Sequence, residues 1–161
     1  MSKISPLAFI DPEAKIGENC EIGPFCFIDK NVEIGDNNVL MNSVSVLYGA
    51  RIGNGNVIFP GAVISAVPQD LKFQGEDTTA EVGDNNKIRE NVTINRGTAA
   101  KGKTCVGSGN LLMESVHVAH DAFVGNDCII GNGTKLAGEI IIDDHAIISA
   151  NVLMHQFCRV G

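Results

Sequence analysis

The sequence predicts an all-β chain wound as a parallel β-helix of hexapeptide units. Three observations predict it: large aliphatic residues recur every six positions, small residues fill a second register, and Gly and Asn punctuate the turns. Counting by six from Ile10 meets Ile16, Ile22, Ile28, Ile34, Leu40, Val46, Ile52, Ile58 and Ile64. The register returns at Val82, Ile88 and Ile94, then runs from Val106 through Leu112, Val118, Val124, Ile130, Leu136, Ile142, Ile148 and Met154 to Val160. Of the 26 positions in this series, 23 hold Ile, Leu, Val or Met, against about seven expected from composition, so the period is built in. A period of six fits neither a 3.6-residue helix nor an alternating strand. It fits a coil with three flat faces, six residues to a face, in which residue n stacks on residue n+18.

The first block of coils runs from Ile10 to Ile64, with Ala14, Cys20, Cys26, Val32 and Asn38 in the small register at the tight corners. Gly follows the aliphatic residue at Gly17, Gly23, Gly35 and Gly53, where Gly and Asn are expected to supply turns with φ > 0. Only Asp70, Glu76 and Ala100 break the aliphatic series. They mark two interruptions, VPQDLKFQGEDTTAE at 67–81 and AAKGKTC at 99–105, and both preserve the register modulo six. Loops that leave a rigid solenoid carry function more often than its coils. Cys20, Cys26, Cys128 and Cys158 occupy corner positions and read as structural; Cys105 lies beside the second loop and reads as inert. The whole span 1–161 is expected to form one domain. Val160-Gly161 opens another hexapeptide, so further coils are expected beyond it.

Composition narrows the function. The 161 residues carry 12 Lys+Arg against 19 Asp+Glu, a formal net charge of −7, which argues against a nucleic-acid-binding surface. No apolar run approaches the ~18 residues of a transmembrane helix. Met1 to Asp11 lacks a basic stretch followed by a long apolar run, so a cytoplasmic protein is expected. Five cysteines without a CxxC suggest neither a disulfide framework nor a zinc ribbon.

The chemistry-bearing residues fall outside the inward registers. His117, His120, His145 and His155 all face away from the prism core in this reading. His145 sits in DDHA, a plain turn, and the adjacent Asp143 and Asp144 are a turn signal rather than a glycosidase pair. From His120, one coil leads to Gly138 and two lead to Gln156. A His, a bare Gly backbone and a Gln on successive coils suit acyl transfer. His120 would be the general base, Asp121 would orient it, and the Gly138 N–H would face a developing oxyanion. The spacing His117-x-x-His120 leaves a second reading open, zinc shared between subunits of a trimer as in γ-class carbonic anhydrases, with no third ligand fixed by sequence.

Five motifs then carry a resemblance: QDLKFQGE at 69–76, GDNNKIRENVTINRGT at 83–98, HVAHDAFVGN at 117–126, LAGE at 136–139 and HQFCRVG at 155–161. Together and in this order they resemble the N-terminal two-thirds of the bacterial acyl-[acyl-carrier-protein]–UDP-N-acetylglucosamine O-acyltransferases, which begin lipid A synthesis. The resemblance implies a left-handed β-helix, a homotrimer with active sites between subunits, and no metal or cofactor. It implies transfer of a 3-hydroxyacyl chain from acyl carrier protein to the glucosamine 3-OH of UDP-N-acetylglucosamine. It makes His120 the base, Asp121 its partner and Gly138 the oxyanion donor. Gln69, Asp70 and Lys72 would contact the sugar or the phosphopantetheine from the neighbouring subunit. His117, His155 and Gln156 would line the glucosamine–diphosphate site, and Ala150 would lie near the limit of acyl-chain length. Two residues depart from the pattern, Asn95 and Glu139, where the family usually has His. The family also has further coils and a C-terminal helical domain with basic residues for the acidic carrier protein. A trimerising fragment without turnover is therefore the third reading, beside the acyltransferase and a carbonic-anhydrase-like lyase.

Overall fold

The computed structural model describes residues 1–161 and contains strands and turns but no helix, so no helix is long and apolar enough to cross a membrane. The first strand is Lys3–Ile4 and the last Arg159–Val160. They sort into three parallel eight-stranded sheets, each taking every third strand. That is the three-faced coil the period of six requires. Partners lie 18 residues apart through most of the chain, as in Ile4↔Ile22 and Ile130↔Ile148. Across the first loop they lie 30 apart, Ile52↔Val82, and across the second 24 apart, Val82↔Val106. The loops therefore add twelve and six residues, both multiples of a face, and the aliphatic register crosses them unbroken.

The loop bounds differ from those expected. The strand Thr79–Val82 begins inside the first expected loop, which closes at 78, and the second loop runs 96–102 because the strand Lys103–Val106 starts early. These two strands pair residue for residue over four positions, Thr79↔Lys103 to Val82↔Val106, because the loops leave the corner late enough for two more pairs to form. Cys105 thus lies in a strand, half-buried beside Glu81, and burial with that carboxylate pushes its thiol up.

The core is one column of aliphatics. Ile28, Ile58, Ile64, Ile88, Ile94, Leu112, Ile130 and Leu136 are fully buried, and the corner residues close around them. Part of the corner register is polar and bonded along the axis. Asn56 Nδ2 donates to Asn38 Oδ1 at 3.0 Å and to the Gly83 carbonyl at 2.9 Å. Asn86 repeats this on Asn56 Oδ1 at 3.0 Å and the Gly107 carbonyl at 2.9 Å. Each buried amide is satisfied by the coils on either side of it, so a corner can hold Asn as well as Ala or Val. Asn56→Ala leaves the buried Asn86 backbone N–H without an acceptor and its side-chain amide with the Gly107 carbonyl alone, and should cost about 3 kcal/mol. An unchanged urea midpoint would show the ladder to be energetically idle.

The glycines after the aliphatic residues act differently from expectation. Gly17 and Gly35 do not have positive φ; a Cβ on Gly17 would stand 2.6 Å from the Gly35 backbone, and one on Gly35 2.7 Å from the Gly53 carbonyl oxygen. They are needed because successive coils touch there. The positive φ falls two residues later, on Asn19, Asn37 and Asn85 but also on Asp127 and His145.

Candidate active site

His120 and Asp121 form the turn that follows the strand His117–Val118. Asp121 adopts φ 61° and is buried, which aims its carboxylate back under the second loop. Its Oδ1 accepts the backbone N–H of Thr98 at 3.0 Å and of Lys101 at 3.2 Å. Its Oδ2 accepts the Thr98 hydroxyl at 2.5 Å and bonds His120 Nδ1 at 2.8 Å. An ionised carboxylate only accepts, so this last bond places the imidazole proton on Nδ1 and leaves the Nε2 lone pair free. Asp121→Asn swaps one acceptor oxygen for a donor facing donors. It should lower stability by about 3 kcal/mol, read by chemical denaturation, because buried partners lose their acceptor; an unaltered midpoint would contradict the satisfied-carboxylate picture.

Gly138 stacks directly on the imidazole. A Cβ there would stand 2.6 Å from Cε1 and 2.7 Å from Nε2 of His120, so only a glycine lets the next coil approach the ring. The Gly138 N–H donates to nothing in the chain. Gln156 follows one coil further, and these three residues share a cavity of about 350 Å³ with Gln69, His117 and Lys135. The stack read from the sequence at intervals of eighteen is thus a physical one.

The first loop completes the cluster. Asp70 Oδ2 lies 3.9 Å from His120 Nε2 within the same chain. Gln69, Asp70 and Lys72 share a hollow of about 450 Å³ with His120 and Gln156. Within one chain, then, the loop residues expected to serve a neighbouring subunit lie beside the chain's own His120. The loop folds back over its own corner because both ends are tied there: Asn95 Nδ2 donates to the Val67 carbonyl at 3.3 Å, and the Tyr48 hydroxyl donates to Asp77 at 3.0 Å.

His117 is bonded through Nδ1 to the Thr93 hydroxyl at 2.7 Å. Burial, helped by Lys135 and His120, holds its imidazole below the usual histidine range, so it is neutral at pH 7. His155 is exposed, bonded only to the Gln156 carbonyl at 3.2 Å, and lines none of these hollows. Ala150 is exposed at another corner, after the strand Ile147–Ile148 in a different sheet. Three residues join the cluster that sequence reasoning sets aside. Lys135 pairs with His117 in the sheet, a position its spacing of eighteen could have revealed. Asn95 is buried in the wall of the His120 cavity. Glu139 lines a more enclosed hollow with Asp70, Lys72 and Glu76. No three His, Cys, Asp or Glu side chains converge as a metal site within the chain. The largest groove, about 920 Å³, lies on another sheet among Lys15, Glu33, Arg51, Glu81 and Lys103. It holds no histidine and its charges pair across coils, as in Lys15–Glu33 and Lys103–Glu81. The His120 corner is therefore the candidate site.

No family model matches the chain. An Aliarcobacter butzleri acyl-[acyl-carrier-protein]–UDP-N-acetylglucosamine O-acyltransferase is 46% identical over 162 residues, spanning all of this chain and 62% of the relative. Among solved structures, the Bacteroides fragilis UDP-N-acetylglucosamine acyltransferase LpxA is 75% identical with a TM-score of 0.96 over 98% of this chain and 62% of its own. The chain is similar to the N-terminal portion of LpxA. The Francisella novicida UDP-N-acetylglucosamine acyltransferase is 46% identical with a TM-score of 0.96, and is covered over 58% of its length. The LpxA likeness also fixes the hand of the coil: it is a left-handed parallel β-helix. The chain spans about three-fifths of the length of these LpxA relatives.

Proposed function

We propose that this chain is the β-helix part of an acyltransferase that moves a 3-hydroxyacyl group from acyl carrier protein to the glucosamine 3-OH of UDP-N-acetylglucosamine, the first step of lipid A synthesis. The observation that carries the reading is the imidazole of His120, held by Asp121 through Nδ1 and pressed against the bare backbone of Gly138.

The steps balance without a cofactor. His120 Nε2 takes the proton of the sugar 3-OH as that oxygen attacks the thioester carbonyl. The charge that grows on the carbonyl oxygen is met by the unengaged Gly138 N–H. Collapse of the tetrahedral intermediate breaks the C–S bond, and the His120 imidazolium returns its proton to the departing thiolate. Asp121 keeps Nδ1 protonated and stabilises the imidazolium meanwhile. Asp70 and Lys72 on the loop, with Gln69, His117 and Gln156, surround the space where the sugar nucleotide and the phosphopantetheine arm would meet. Neutral His117 suits a hydrogen-bonding role there rather than an ionic one. His155 and Ala150 belong to this proposal only through surfaces that another subunit would complete. A homotrimer of three such chains, acting in the cytoplasm where acyl carrier protein is met, is part of the same proposal.

The test is acyl transfer from 3-hydroxyacyl carrier protein to UDP-N-acetylglucosamine, with metal content measured on the same sample. Product in metal-free protein is the expected result. Stoichiometric bound zinc, with activity lost to a chelator, would overturn it in favour of the lyase.

A further inference from the structure

We propose that Arg96 is the centre of a second ligand site, on the N-terminal side of the loop at 67–78, which binds a small oxyanion (a phosphate group or a carboxylate) on the edge of its guanidinium. Arg96 follows the strand Thr93–Asn95 at the same corner as His120, one coil earlier. It is only 8% exposed, and an arginine that deeply placed ordinarily has a carboxylate partner. This one has none. It takes part in none of the ion pairs of the chain, its side chain donates no hydrogen bond, and Nε is sealed from solvent without an acceptor.

Two aromatic faces hold it instead. Cζ lies 5.1 Å from the ring centroid of Tyr48 and 5.2 Å from that of Phe73, a residue of the loop. Cation–π contacts act on the flat faces of the guanidinium. The five N–H donors all lie in its plane and stay unanswered. Of the three nitrogens only Nε is sealed, so the unbonded terminal pair remains reachable, and Arg96 forms part of the wall of a cavity of about 350 Å³. None of the residues around that cavity lines the hollows at His120.

The other charges in the wall are Asp29, Lys30 and Asp77. Asp77 accepts the Tyr48 hydroxyl at 3.0 Å and Asp29 accepts the Lys30 backbone N–H at 2.8 Å, so each is engaged away from the guanidinium. The two cations and two carboxylates cancel, and long-range attraction for an anion is weak. Recognition rests on the fork of Arg96, whose paired donors match two oxygens of one phosphate or carboxylate.

The probes are inorganic phosphate and, separately, acetate, titrated into the chain at constant ionic strength. The readout is the Nε–Hε resonance of Arg96 in the NMR spectrum, assigned by its loss in Arg96→Lys. The expected result is a saturable shift with an oxyanion but not with chloride, and, followed in both proteins on the backbone amide of Phe73, phosphate binding at least about tenfold weaker in Arg96→Lys, which keeps the charge and loses the fork. Preference for phosphate assigns the site to phosphate groups, and preference for acetate assigns it to carboxylates. A resonance that neither anion moves overturns the proposal. So does one that moves only on Asp77→Asn, because Arg96 would then be paired within the chain.

Discussion

His120→Ala should lower acyl transfer about 10²–10⁴-fold while leaving the coil intact. The ring lies outside the aliphatic column, and its one side-chain bond is to Asp121, which keeps its three other donors from Thr98 and Lys101. Truncation therefore removes the base without opening the core. The measurement is kcat with saturating 3-hydroxyacyl carrier protein and sugar nucleotide, together with circular dichroism of the variant. Turnover within a few-fold of the parent would remove His120 from the base role, whatever else it contacts. A sharper control is His120→Gln, which keeps a polar group in the same turn but offers no basic nitrogen, and should be as slow as alanine.

Gly138→Val should be nearly as damaging by a different route. The first carbon of any side chain would stand 2.6 Å from Cε1 of the His120 ring, inside contact distance, so the imidazole must rotate or the coils must part. Gly138 does not adopt a positive φ, so the backbone itself tolerates a side chain and the clash is the whole effect. Displacing the base by about 1 Å costs on the order of 10²-fold in rate. The distinguishing measurement is the His120 ring resonance beside kcat. A slow enzyme with an unmoved ring would locate the loss in the Gly138 N–H, which Val leaves in place but shields. An active enzyme would show that the ring has room elsewhere and would weaken the oxyanion assignment.

The period of six is enough to seat Val46 beside Ile28 in the core column and to bring Gly138 and then Gln156 over His120, because each step in these relations is an interval of eighteen. What the period cannot express is where a non-repeating segment lies. The contact of Asp70 with His120 spans fifty residues and depends on how the loop is tied down at Val67 and Asp77, interactions with no periodic signature. The early start of Lys103–Val106 is hidden for a related reason: Lys103 and Thr104 look like loop residues by type, and only their partners Thr79 and Ala80 make them a strand. Asn95 stands out in the sequence only as a departure from a usual His, and a neutral amide suggests no catalysis, yet burial makes it the fastening of the loop. Lys135, by contrast, is within reach, since the interval that leads from His120 to Gly138 also leads from His117 to Lys135.

The twelve and six residues added by the two loops have a consequence for how such a protein can vary. A coil of six-residue faces behaves as a reading frame: a length change in multiples of six is silent downstream, and any other change turns every later aliphatic residue out of the column. Both loops leave from the corner that bears His120, and both are in frame. The chain can therefore lengthen or shorten the segments that surround its chemistry, and so remodel what reaches the imidazole, while the scaffold on either side keeps its phase.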